Sequence, residues 1–160
     1  MSNSATSIRH RSSNSWEPWH KPDRRRQSDT GRFEPTSGSA CYNHIAGHLA
    51  ILITAAMQTR GLIDLRDDSI RLTDKGTLWF ANNGMPESQL RKTPRIKGCL
   101  DWTERRMHIG GSAGSALCSH LMDLSVIRRD TPRRALRVTA TGKRWFSSQL
   151  GIDEDSLDES

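Results

Sequence analysis

The chain has 160 residues, with 24 Lys and Arg against 18 Asp and Glu, a net charge of +6 at neutral pH and 34% hydrophobic residues. No apolar run reaches the roughly 20 residues of a membrane span, and the N-terminus lacks the apolar stretch of a signal peptide, so a cytoplasmic protein with no membrane partner is expected. Three cysteines, an odd number in a chain without an export signal, point to thiols rather than a disulfide framework.

Residues 1–40 hold nine Ser and three Pro, and Ile8 is their sole residue among Val, Ile and Leu. Such a segment buries too little apolar surface to offset the entropy of ordering, so a disordered tail is expected, with Trp16 and Trp19 as weak docking points. From Ile45 the apolar positions run 45, 49, 52, 53, 56 and 57, the spacing of an amphipathic helix, and Gly61 is placed to stop it. Leu62-Ile63-Asp64-Leu65, a turn at Arg66-Asp67-Asp68, and Ser69-Ile70-Arg71-Leu72 then read as a β-hairpin. Thr73 stands where its hydroxyl can cap a following helix that carries Trp79-Phe80.

The same series then returns. Ile70-Arg71-Leu72-Thr73-Asp74-Lys75-Gly76-Thr77-Leu78-Trp79-Phe80 recurs as Leu136-Arg137-Val138-Thr139-Ala140-Thr141-Gly142-Lys143-Arg144-Trp145-Phe146, and His44-Ile45-Ala46-Gly47 recurs as His108-Ile109-Gly110-Gly111. A second helix is expected along 109, 113, 116, 117, 121 and 124. A second hairpin follows from Val126-Ile127-Arg128 and Ala135-Leu136-Arg137-Val138, with two extra residues at its tip. Trp79 and Trp145 are expected to be equivalent buried anchors. The fold class is therefore α+β: two winged-helix-like repeats (helix, hairpin wing, helix), residues 41–90 and 91–152, between the tail of residues 1–40 and an acidic tail of residues 153–160.

Three separated segments carry a family resemblance: Cys41-Tyr42-Asn43-His44-Ile45-Ala46-Gly47, Cys99-Leu100-Asp101-Trp102-Thr103-Glu104-Arg105-Arg106, and Gly142-Lys143-Arg144-Trp145-Phe146. In this order they resemble the C-terminal region of bacterial ArsR-type winged-helix transcriptional regulators. The resemblance implies a regulator, or its sensor and dimerisation part, without the N-terminal winged helix that reads the operator in those proteins; a homodimer is expected.

Charge divides the two copies. Residues 41–90 carry four basic and five acidic side chains, whereas residues 91–150 carry thirteen basic and four acidic. Arg128, Arg129, Arg133, Arg134 and Arg137 fall on the second hairpin, and Lys143 and Arg144 open the next helix. Such a wing can lie along duplex DNA, where counterion release supplies affinity without sequence preference. It can equally be a solvated basic face, in which case the chain is an interaction module pairing with itself or with a full-length regulator.

Cys41-x-x-His44 has a chelating spacing and Cys99 with His108 is its counterpart, so a fold that joins the copies would assemble a Cys2His2 metal site. Against it, nine residues separate Cys99 from His108, and Cys as a core filler with His as a helix cap is the ordinary reading; on that reading no cofactor is needed. Cys118 and His120 read as helix residues. No enzyme is expected: Gly110-Gly111-Ser112-Ala113-Gly114 aligns with a helix of the first copy rather than with a phosphate loop, and Asp101-x-x-Glu104 reads as a helix capping box.

Overall fold

The computed structural model describes residues 38–158 apart from 42, 92, 93, 132 and 133. Most of the expected tail, residues 1–37, and Arg133 thus lie outside the described residues. The fold is mixed α+β. In chain order come β1 (Gly38–Cys41), β2 (His44–Ala46), α1 (His48–Thr59), β3 (Ile63–Arg66), β4 (Ser69–Leu72) and α2 (Asp74–Asn82). Then follow β5 (Lys97–Asp101), β6 (Arg106–Gly110), α3 (Gly111–Asp123), β7 (Ile127–Asp130), β8 (Ala135–Val138) and α4 (Ala140–Leu150). The series hairpin, helix, hairpin, helix occurs twice.

Each copy therefore has one hairpin more than the helix, hairpin, helix unit expected from the sequence. Ile45 and Ile109, expected to open helices, instead lie in β2 and β6. All three residues of β2 are buried, so the strand has no polar face to give it a period of two. Gly47 and Gly111 turn the chain into the helices at φ 75° and 74°, a left-handed conformation that disfavours a side chain. The Asp101-x-x-Glu104 capping box is also corrected. Asp101 Oδ1 accepts from the backbone N–H groups of Thr103 and Glu104, at 2.9 and 3.0 Å, so it closes the β5–β6 turn instead of starting a helix.

The hand-over from the second hairpin to the following helix is the same in both copies. Thr73 Oγ1 accepts from Gly76 N and donates to the Leu62 carbonyl, while Thr139 Oγ1 accepts from Gly142 N and donates to the Val126 carbonyl. Glycine is required three residues into each helix, because a Cβ on Gly76 or Gly142 would run into that same carbonyl. At the tip of the β3–β4 hairpin Asp67 and Asp68 both have positive φ, 46° and 61°, the pattern of a two-residue type I′ turn; the β7–β8 tip has four residues, as the two-residue offset requires.

The copies are interlocked. Strand β1 pairs antiparallel with β8 of the other copy, giving a four-stranded sheet in the order β2-β1-β8-β7, and β5 correspondingly lies along β4. Helix α1 packs on β6 and α3 on β2, so each copy's first hairpin and helix close against the other copy. One core results, with Leu49, Met57, Phe80, Leu121, Leu136 and Phe146 fully buried. Trp79 and Trp145 are equivalent, as expected, but half-buried: they meet edge to face at 6.2 Å, each resting on its own fully buried Phe at 5.3 Å.

Two segment boundaries shift. Strand β1 begins at Gly38, inside the segment assigned to the tail. The acidic end folds back: Asp155–Leu157 forms a 3-10 turn, Leu157 is buried in the core, and Asp158 pairs with Lys143. A single large aliphatic among acids leaves little periodicity to mark such a docked segment. Among the described residues no helix is long and apolar enough to cross a membrane.

Candidate functional site

The interlocking brings the Cys and His residues of both copies to one place. In the first copy Cys41 stands opposite His44 across β1 and β2, with residues 42 and 43 making the connection. In the second, Cys99 stands opposite His108 across β5 and β6, with two further strand pairs before the turn. The hairpins differ in length, yet in each a Cys faces a His, which removes the objection raised by the nine-residue spacing.

Strands β2 and β6 meet in the interior, and there His44 Nε2 lies 3.1 Å from His108 Nε2. The donor atoms of Cys41, His44 and Cys99 all lie within 4.8 Å of one another. Small residues make room, since a Cβ on Gly110 would contact both the Cys99 Cβ and the His44 ring, and one on Gly114 would come within 2.6 Å of the Ile109 carbonyl oxygen. Gly114 therefore serves helix packing rather than a phosphate.

Burial lowers the pKa of both imidazoles, and at His108 the neighbouring His44 adds to this while Asp101 opposes it. Neutral rings are favoured. Burial also pushes the Cys99 thiol up, as do the charge and hydrogen bond of Cys41 beside it. Asp101 behaves differently: burial works to raise its pKa, but the N–H groups of Glu104, Gly47 and Thr103, together with His108, outweigh this and hold it below its usual value. Its Oδ2 accepts from Gly47 N at 2.7 Å and lies 4.0 Å from His108 Nδ1. That Nδ1 atom is buried and has no hydrogen-bond partner among the described residues.

The basic set is less coherent than its sequence suggests. Arg128 stands directly opposite Arg137 across β7 and β8, so the two share a face, and both are exposed. Arg129 alternates to the other face, where its charge is felt by the buried Cys118 thiol of α3. Arg137 is engaged by Asp130 at 2.7 Å, and Lys143 by Asp158. Arg134, at the tip, and Arg144, on α4, are exposed. The β3–β4 hairpin is different: Asp64 occupies the place equivalent to Arg128, stands opposite Arg71 and pairs with Arg66 at 2.9 Å. The split of the arginines between two faces was available in the sequence as strand alternation. Sequence reasoning also passed over Asp101 as a partner of His108, because that role depends on the β5–β6 register.

A comparison with curated proteins finds a relative in Bacillus subtilis (strain 168), the uncharacterized HTH-type transcriptional regulator YdfF, 33% identical over 114 residues. The match covers 70% of this chain and 50% of the relative, so the chain spans about half the length of that protein. No protein-family model matches the chain, and no solved structure matches it.

Proposed function

We propose that this chain acts in transcription regulation as the sensor and dimerisation part of an ArsR-type regulator, and that its second hairpin is a wing lying on the phosphate backbone of duplex DNA. The relationship to an HTH-type regulator over 70% of the chain supports the regulatory role. One observation carries the DNA contact. At equivalent places in the two hairpins, the first copy sets Asp64 against Arg71, whereas the second sets Arg128 against Arg137. Like charges directly opposite one another destabilise a strand pair. Each hairpin carries one Asp and two Arg on this face, but in the second Asp130 engages Arg137, and Arg128 has a cation rather than an acid directly opposite it, so Arg128 is the residue offered to a phosphate of a duplex.

The test is the salt dependence of duplex DNA binding for the parent chain and for Arg128→Asp, which gives the second wing the charge pair of the first. Arg128→Asp should leave the fold intact, weaken binding to all sequences alike, and lower the slope of log K against log salt by about one unit for each phosphate the wing no longer neutralises. A parent chain without affinity for duplex DNA at low salt, or an Arg128→Asp variant that binds equally well, would overturn the DNA contact.

A second reading, an interaction module that pairs with itself or with a full-length regulator, is favoured by Trp102. This side chain is 84% exposed at the tip of the β5–β6 hairpin, beside the exposed Leu100, and large exposed apolar groups mark contact surfaces. Under that reading DNA binding is absent and Trp102→Ala weakens self-association in sedimentation.

A further inference from the structure

We propose that Cys41, His44, Cys99 and His108 form a binding site for a thiophilic transition-metal ion, Zn2+ in the first instance, which ties the two repeats together at the place where their first hairpins meet. Four observations carry this independently of the regulatory reading.

The donor set is chemically matched. Two thiolates and two imidazoles form the Cys2His2 combination of tetrahedral Zn2+, and thiolate donors select against Mg2+ and Ca2+. Three of the four donors, those of Cys41, His44 and Cys99, already lie near one another, and His108 reaches the group through His44. Two nitrogens at about 2.0–2.1 Å from tetrahedral Zn2+ lie roughly 3.3 Å apart; the two Nε2 atoms share a hydrogen bond of 3.1 Å, so the ion would take the place of the proton between them. The sulfur and nitrogen atoms of Cys41, His44 and Cys99 are within 4.8 Å, so a contraction on the order of 1 Å, within reach of side-chain rotation, brings them to the roughly 3.5–3.8 Å of a closed shell.

The site is built twice over by the duplication. Each copy supplies one Cys and one His from directly opposed strand positions, although the hairpins differ in length. Packing alone does not require that the same two residue types face each other in both. Finally, His108 Nδ1 has no hydrogen-bond partner among the described residues, and the side chain is 1% exposed. With an ion on Nε2, Nδ1 must carry the proton, and the carboxylate 4.0 Å away is Asp101, already held in place by three backbone N–H groups. A carboxylate behind a ligating imidazole is the usual way to fix its tautomer and orientation. Asp101 is thus a positioning residue for the site.

The experiment uses the full chain, reduced and freed of metal by chelation, and titrates Co2+ as a spectroscopic substitute for Zn2+. The expected result is saturation at one equivalent, with thiolate-to-metal charge-transfer absorption and the intense visible bands of tetrahedral Co2+, all displaced by Zn2+. Cys118→Ser, which removes the thiol outside the site, should titrate like the parent. Cys41→Ser and Cys99→Ser should each lose roughly half the charge-transfer intensity and the double variant all of it, and Asp101→Asn should keep the tetrahedral bands while weakening Zn2+ affinity by about 10–100-fold. Far-ultraviolet circular dichroism on the same samples establishes that each variant is folded.

Because the parent titration is informative alone, loss of fold in a variant does not protect the proposal. Absence of tetrahedral Co2+ bands in the parent would overturn it, as would charge-transfer bands of parent intensity in both cysteine variants, bands that survive in the double variant, or bands that vanish only in Cys118→Ser. Recovery of Cys41 and Cys99 as a disulfide, with no metal uptake after reduction, would assign the pair to thiol redox chemistry and also overturn it.

Discussion

Alanine at Gly142 sets two effects of opposite sign against each other. Within a helix Ala is favoured over Gly by about 1 kcal/mol, and this alone predicts stabilisation. Here, however, the new Cβ would overlap the Val126 carbonyl oxygen and sit 2.9 Å from both the carbonyl carbon and Val138 Cγ1. That oxygen accepts the Thr139 N–H at 3.0 Å and the Thr139 hydroxyl at 3.2 Å, so α4 cannot move away without stretching both bonds. Overpacking of this kind costs about 1–3 kcal/mol, and each weakened hydrogen bond adds about 1 kcal/mol. The clash wins: Gly142→Ala should lose about 2–4 kcal/mol net, lowering Tm by about 10 °C in a domain of this size. Gly76→Ala meets the Leu62 carbonyl and Leu72 Cδ1 in the same geometry and should lose the same amount. Urea and thermal unfolding of both variants measure this. A variant that melts at or above the parent would refute the steric argument, and losses differing by more than about 1 kcal/mol would refute the equivalence of the repeats.

Phe80 and Phe146 are fully buried while their Trp neighbours are not, so Phe80→Ala and Phe146→Ala should each cost about 3–5 kcal/mol in urea unfolding, and Trp79→Ala and Trp145→Ala less. Ser125 holds φ 55° where the first copy has Gly61 at φ 69°; Ser125→Gly should therefore raise stability by about 0.5–1 kcal/mol, and a loss would show that the Ser side chain holds the turn. Leu157→Ala should cost about 2–4 kcal/mol, because the acidic end is anchored in the core; an unchanged melting curve would place that segment in solvent.

What could be read from the sequence was whatever is decided locally. The Leu72-Thr73-x-x-Gly76 and Val138-Thr139-x-x-Gly142 hand-overs were legible because a hydroxyl cap and a glycine under a carbonyl act within a few residues. Gly61 as a helix stop was legible for the same reason, its left-handed φ allowing Leu62 N to reach back to the Met57 carbonyl. Strands β1 and β2 were not, because Cys41 and His44 pair across residues that carry no Gly signal and β2 is buried throughout. The exchange of hairpins between copies is a tertiary choice made by β1 against β8, with no local mark. For the site, the duplication pointed to Cys41, His44, Cys99 and His108, yet their meeting rests on two hairpin registers that residue spacing conceals. The basic residues show the reverse: their number was plain, but alternation and the Asp130 and Asp158 partners divide them.

The central claim is that the two copies close on each other with His44 against His108. Nuclear Overhauser spectroscopy of the reduced, metal-free chain with labelled histidine tests it most directly, the resonances being assigned from His44→Asn and His108→Asn. With ring centroids 5.1 Å apart, a cross-peak between the two imidazoles is predicted. If each histidine shows cross-peaks to the Cys opposite it in its own hairpin but none to the other ring, the repeats fold without interlocking and the account is contradicted.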